Sequence, residues 1–141
     1  MEITSEATTV WNGELITGSG SVSLDSSQTA SFPLTWKARA EGAVGTTNPE
    51  ELLAAAHASC FSMAFSNELT KAGHSPTSIQ TTAAVTFEAG RGVVGSHLLV
   101  NADVPGISDE DFHRIAEDAK TNCPISKALA GIPITLEADR A

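Results

Sequence analysis

Apolar positions in this chain follow two periods, and the switch between them marks out the elements. Residues 8–11 and 14–17 flank Asn12-Gly13, a pair that tolerates the positive φ of a tight turn, which predicts a hairpin or a bulged strand. Residues 18–24 alternate small and apolar and predict another strand. Residues 31–38 read as a third, with Pro33 confining it to an edge or a strand end. Further on, Ile79, Val85 and Phe87 with interleaved threonines predict a strand over 78–88. Gly90-Arg91-Gly92 turns it, residues 94–104 read as its partner, and 132–137 close the chain as a last strand.

Between these lie helical patterns. Asn48 suits an N-cap, Pro49 suits N1, and Glu51 falls at N3 to complete a capping box. Glu50 and Glu51 also suit the positive end of the helix dipole. The helix is expected to reach Lys71, with Gly73 as a left-handed stop. Leu52, Leu53, Ala55, Ala56, Phe61, Met63, Ala64 and Phe65 cover most of its circumference, which predicts burial on all sides. In a chain this small, that burial implies help from another subunit. Ser108 caps a second helix over 109–122, with Phe112, Ile115, Ala116 and Ala119 on one face. Pro124 stops it and opens a short third helix over 124–129, ended by Gly131. Strands, helix, strands, helix, strand is the order of an α+β fold rather than a run of βαβ crossovers. No repeat or linker divides residues 1–141, so one domain is expected.

Composition narrows the function. The chain has 141 residues, 41% of them hydrophobic and 18% charged, as a globular protein does. A formal charge of −9 argues against a nucleic-acid binder and against a protein held on an anionic membrane. The apolar stretch over 52–65 is too short, and too interrupted by serine and histidine, to span a bilayer. No basic segment followed by an apolar run opens the sequence. A soluble, cytoplasmic protein is expected, in which thiols stay reduced unless oxidation is their task.

Cys60 and Cys123 are the only cysteines. Cys60, deep in the long helix, reads either as a small buried hydrophobe or as a reactive thiol. Cys123 precedes Pro124 at a helix start, where unpaired backbone N–H groups favour a thiolate; local physics nominates it as the thiol of lower pKa. His57 and Cys60 share a helix face and would make three metal ligands with Cys123. No Cys-x-x-Cys and no second ligand pair accompany them, and His74, His97 and His113 are scattered, so a redox pair is favoured over zinc. His57 reads as a packed or hydrogen-bonded core histidine. There is no nucleophile elbow around Ser59 or Ser62 and no phosphate loop at Gly18-Ser19-Gly20. Arg39 follows a predicted strand and reads locally as a solvated charge, and capping already accounts for Glu50.

Three segments together carry a specific resemblance: Asn-Pro-Glu-Glu-Leu-Leu-Ala-Ala-Ala-His-Ala-Ser-Cys-Phe-Ser-Met-Ala-Phe over 48–65, Pro-Thr-Ser-Ile-Gln-Thr-Thr-Ala over 76–83, and Cys-Pro-Ile-Ser over 123–126. They resemble the OsmC/Ohr family of osmotically inducible and organic hydroperoxide resistance proteins, and His57 with Ser62-Met63 looks closer to the OsmC branch. The resemblance implies antiparallel sheets packed around a long buried central helix, in an intertwined homodimer with active sites at the interface. It implies a thiol peroxidase for organic hydroperoxides, active in oxidative and osmotic stress, with no bound cofactor. Cys60 would be the peroxidatic cysteine, Cys123 the resolving one, and Arg39 and Glu50 the catalytic arginine and glutamate. An external dithiol, dihydrolipoamide or a lipoylated protein, would reset the disulfide.

One geometric expectation is independent of the family. Ten residues of continuous helix separate Glu50 from Cys60, about 15 Å along the axis. If Glu50 serves the thiol, the simplest route runs across a dimer interface. Two other readings use the same residues: a thiol-based redox sensor with little turnover, and a module that binds a small hydrophobic ligand.

Overall fold

Asn12-Gly13 does not make a two-residue hairpin. In the computed structural model, which describes residues 1–141, β1 (Ala7–Asn12) and β2 (Ser19–Leu24) pair antiparallel from Ala7↔Leu24 to Asn12↔Ser19, and residues 13–18 form the loop between them. Residues 14–17, expected as a strand, lie in this loop, with 15–17 as its turn. The loop closes because Gly18 donates its N–H to the Glu14 carbonyl at 2.7 Å, with Gly13 at φ +89°.

β3 (Ser31–Leu34) adds to β2 antiparallel, giving the order β1-β2-β3. The expected strand over 31–38 stops at Leu34, which lies opposite Gly20 near the end of β2, so little partner strand remains beyond it. Thr35 then caps a short helix, α1 (Trp36–Ala40), accepting the Ala38 N–H at 3.2 Å. Arg39 therefore sits on a helix, not beyond a strand. Asn48 caps α2 (Pro49–Lys71) as expected, taking the Glu51 N–H at 2.8 Å, while its amide donates to the Ala38 carbonyl at 2.9 Å. The reciprocal arm of the expected capping box differs: the Glu51 carboxylate accepts from the Thr47 hydroxyl.

The chain divides into two compact units, Met1–Leu52 and Leu53–Ala141. The first has little core of its own. Only Val22, Leu34 and Ala38 are buried apolar residues in it, while Val10, Trp11, Leu15, Ile16 and Phe32 are exposed.

In the second unit, β4 (Ser78–Glu88) and β5 (Gly92–Asp103) form the expected antiparallel hairpin, with a bulge at Thr86/Phe87. β6 (Ile134–Arg140) pairs with β5 in parallel. The α+β class holds, but the sheet is mixed, and the helices between β5 and β6 form one crossover that a purely segregated order would lack. Leu98, Val100 and Ala102 alternate inward along β5. Against them packs one stripe of α2: His57, Phe61, Phe65 and Leu69, each with no exposed surface. The four-residue spacing puts them on a single face. Met63 is 74% exposed, and Ala55 and Ala56 are exposed too, so all-round burial does not hold within one chain. A full αL stop ends α2, with Gly73 at φ +87°, His74 N–H on the Leu69 carbonyl and Gly73 N–H on that of Thr70.

α3 (Asp109–Asn122) starts as expected at Ser108, whose hydroxyl accepts the Asp111 N–H at 3.1 Å, and buries Phe112, Ile115, Ala116 and Ala119. The Phe65 and Phe112 rings meet edge to face, centroids 5.5 Å apart. α4 (Pro124–Ala128) follows directly, with Cys123 as both the C-cap of α3 and the N-cap of α4. No helix is long and apolar enough to cross a membrane.

The loop over residues 13–18 tests this account. A Cβ on Gly18 would fall 2.5 Å from the Asn12 carbonyl oxygen and closer still to that of Glu14. Both are backbone atoms that cannot step aside. Gly18→Ala is expected to cost about 1–3 kcal/mol in equilibrium urea unfolding; a value near zero would show that the loop is not held as described.

Candidate active site

The candidate residues fall into two groups, one in each unit. The first is an ion pair. Arg39 on α1 donates to Glu50 at the start of α2 through Nε at 3.0 Å and Nη2 at 2.7 Å. Both bonds land on Oε1. Glu50 is only 6% exposed, and its second oxygen, Oε2, is buried with no hydrogen-bond partner. A buried carboxylate lone pair without a donor is costly and uncommon. Beside the pair lies a largely apolar hollow of about 430 Å³, lined by Trp11, Leu15, Leu34, Trp36, Leu52 and Arg39 among others.

The second group is the thiol pair. Cys60 and Cys123 are both free, and Cys60 packs against the core cluster that contains Cys123, close enough for the second thiol to affect its ionisation. They differ in access. Cys123 belongs to the core and has no exposed surface. Cys60 is half-buried and opens onto a groove of about 450 Å³, which Met63, Asn67, Lys71, Pro124 and Lys127 help to line. Phe61 and Phe65, close to Cys60 in sequence, are fully buried and serve the core, whereas Met63 reaches the groove.

The contact expected at the start of α4 is made differently. Cys123 caps α4 in backbone position only, and its side chain makes no capping hydrogen bond. The backbone N–H that acts on a thiol here is that of Ile125, and it acts on Cys60. The reason is tertiary: α2 brings Cys60 to the start of α4, while Cys123 points into the core. Burial pushes the Cys60 pKa up, the hydrogen bond with Cys123 adds to this, and the Ile125 N–H opposes both. Within this unit the thiol form of Cys60 is favoured.

His57, one turn before Cys60, is the hydrogen-bonded core histidine that the sequence suggested. Nδ1 lies 2.7 Å from the Ser96 hydroxyl on β5, and Nε2 lies 2.9 Å from the Ser126 hydroxyl on α4. Burial holds its pKa below the usual 6.5. With both nitrogens engaged it makes no third ligand to the thiols, and no three His, Cys, Asp or Glu side chains gather as a metal cage. Sequence reasoning missed the two serine partners. Nothing local marks Ser96, and Ser126 stood out only as part of the Cys-Pro-Ile-Ser motif.

A pair of free thiols, one on a long helix and one at the start of a short helix, in an α+β fold with a mixed sheet, is the setting in which the comparisons with known proteins fall. The family model for OsmC-like proteins matches residues 41–137, and the chain belongs to the OsmC family. It is 44% identical to the peroxiredoxin OsmC of Escherichia coli (strain K12) over 130 residues, 90% of each chain. This bears out the resemblance read from the three segments. Among solved structures, an OsmC-like protein from Mycoplasma pneumoniae has a TM-score of 0.75 at 17% identity, covering 100% of this chain and 99% of its own. The organic hydroperoxide resistance protein OhrB of Bacillus subtilis has a TM-score of 0.69 at 25% identity, covering 97% and 98%.

The buried imidazole sets a pH dependence of stability. The fold keeps His57 neutral, whereas the unfolded chain takes up a proton as the pH falls below 6.5. The unfolded state then binds more protons, so stability must rise with pH across this window. The contribution is complete above 6.5, declines below it, and is gone once the pH has passed the depressed folded value. Urea midpoints measured from pH 8 to about pH 5 are expected to fall, and to fall less in His57→Gln. Equal slopes in the two proteins would show that His57 is not the group responsible.

Proposed function

We propose that this protein is a two-cysteine peroxidase that reduces organic hydroperoxides to alcohols. The observation that carries the reading is the juxtaposition of two free thiols, one reachable from a groove and one sealed in the core. The family membership and the peroxiredoxin and hydroperoxide-resistance names of its relatives support it.

Access supports the following roles. Cys60 meets the peroxide: its thiolate attacks the distal oxygen, the O–O bond breaks, and the alkoxide leaves as the alcohol after taking a proton. Cys123 waits behind it. Its sulfur attacks the Cys60 sulfenic acid, the S–S bond forms, the S–O bond breaks, and water departs. An external dithiol, with dihydrolipoamide or a lipoylated protein as the expected form, resets the pair by exchange.

The first step needs a thiolate, and burial opposes one, so a cation must be supplied. Arg39 is the proposed source, braced by Glu50, and the apolar hollow beside it would hold the alkyl group of the substrate. We assign the pair to the Cys60 of a second subunit. Glu50 and Cys60 lie on one unbroken helix, and ten residues rise about 15 Å. Two observations within single units support an interface: the unpartnered Glu50 Oε2, and the exposed apolar residues of the β1–β3 sheet with Met63 on α2.

One equivalent of cumene hydroperoxide added to reduced protein tests the roles by thiol count and mass. The parent should lose both thiols rapidly, Cys60→Ser should not react, and Cys123→Ser should stop at the sulfenic acid or over-oxidise. Intact thiols in the parent would sink the peroxidase reading. Arg39→Ala is expected to slow Cys60 oxidation at neutral pH by about tenfold or more, the loss expected when a neighbouring cation is removed from a thiolate. Co-expressing Cys60→Ser with Arg39→Ala tests the shared site. Random hybrids of a two-fold dimer should regain roughly a quarter of parent activity, because half the dimers are hybrid and each has one complete site. Hybrids that stay inactive would overturn the exchange.

A further inference from the structure

His57 is a buried titratable group that the proposed chemistry does not use. It is fully buried, as nearly are its partners, Ser96 at 2% and Ser126 at 6% exposed. Three polar side chains in a core cost desolvation that apolar residues of similar size would not. What they supply in return is direction, since a hydrogen bond fixes distance and angle where apolar packing restrains only volume.

The direction is informative. His57 is three residues before Cys60 on α2, and Ser126 is three residues after Cys123 on α4. The His57–Ser126 bond of 2.9 Å therefore ties the two thiol-bearing segments together beside the thiols, and the Ser96 bond of 2.7 Å anchors the imidazole to the sheet. α4 needs such a tie. It is five residues long, and Ser126 is its buried residue, with Ile125 partly buried against the core. A turn that short has few other contacts to fix its angle.

We propose that His57, with Ser96 and Ser126, is a positioning clasp that holds the Cys123–Pro124 turn against Cys60 and so sets the rate of disulfide closure. Closure has narrow geometric demands: the sulfurs must approach within bonding distance at a dihedral near 90°. A turn that drifts by an ångström misses this alignment and leaves the Cys60 sulfenic acid waiting. A waiting sulfenic acid meets a second hydroperoxide, gains another oxygen as the sulfinic acid, and releases a second alcohol. In that peroxide-dependent form the inference rests on the peroxidase reading; the positioning itself does not.

A test independent of peroxide uses the disulfide of Ellman's reagent. Cys60 attacks it, forming a mixed disulfide and releasing one thionitrobenzoate. Cys123 then attacks the Cys60 sulfur, closing the intramolecular disulfide and releasing the second. The two releases are two phases of one absorbance trace, and Cys123→Ser should abolish the second. In Ser126→Ala the first phase is expected at the parent rate and the second slowed by roughly tenfold or more, the scale of a small misplacement of reacting groups. Ser126→Thr keeps the hydroxyl and should restore closure. A second phase at the parent rate in Ser126→Ala overturns the clasp. So does equal slowing of both phases, which would mark general loosening of the fold. If the parent fails to reduce cumene hydroperoxide, the peroxidase reading fails while the closure rates still decide the clasp.

Discussion

The thiol chemistry depends on how α2 is rotated about its own axis, and that rotation is set by one stripe of side chains. His57, Phe61, Phe65 and Leu69 are locked into the core, which leaves Cys60 at the margin of the stripe, half in and half out. Phe65 meets Phe112 of α3 edge to face, and α3 ends at Cys123. The aromatic contact thus joins the two elements that carry the cysteines. Turn α2 by one residue and the thiol would be either sealed or fully in solvent. A sealed thiol meets no substrate, and an exposed one loses its partner.

The same burial that shelters Cys60 works against its ionisation. The Ile125 N–H pulls toward the thiolate, but the rise caused by burial and by the Cys123 hydrogen bond is larger. This is the physical reason the proposed attack enlists a cation. Arg39 is bound by Glu50 in a way that leaves one carboxylate oxygen buried and unsatisfied. A carboxylate in that condition is poorly satisfied within its own unit. The shared site proposed above rests on these two observations, each made within one unit.

Much of the fold was legible because it is written in local chemistry. Asn48-Pro49, Ser108 and Gly73 mark helix ends through bonds to residues a few positions away, and all three act as their residue types imply. Alternation along β4 and β5 marked the hairpin. The failures came where a distant segment decided. Residues 35–38 have strand-like composition, but Leu34 already faces the end of β2, so Thr35 caps a helix instead. Gly13 takes its positive φ as expected, yet the turn it begins is closed by Gly18, five residues on.

The sequence by itself determined the α+β class, the long capped helix, the presence of two cysteines in distinct helical settings and the family, because each rests on residue identity and short-range spacing. Only the tertiary structure decided which thiol is reachable, which one receives the α4 backbone N–H, and what engages the two nitrogens of His57. Those outcomes depend on residues up to 69 positions apart, as Ser126 is from His57. No local pattern encodes such a separation. Packing sets it, when the buried face of α2 chooses its place against β5 and the helices that follow.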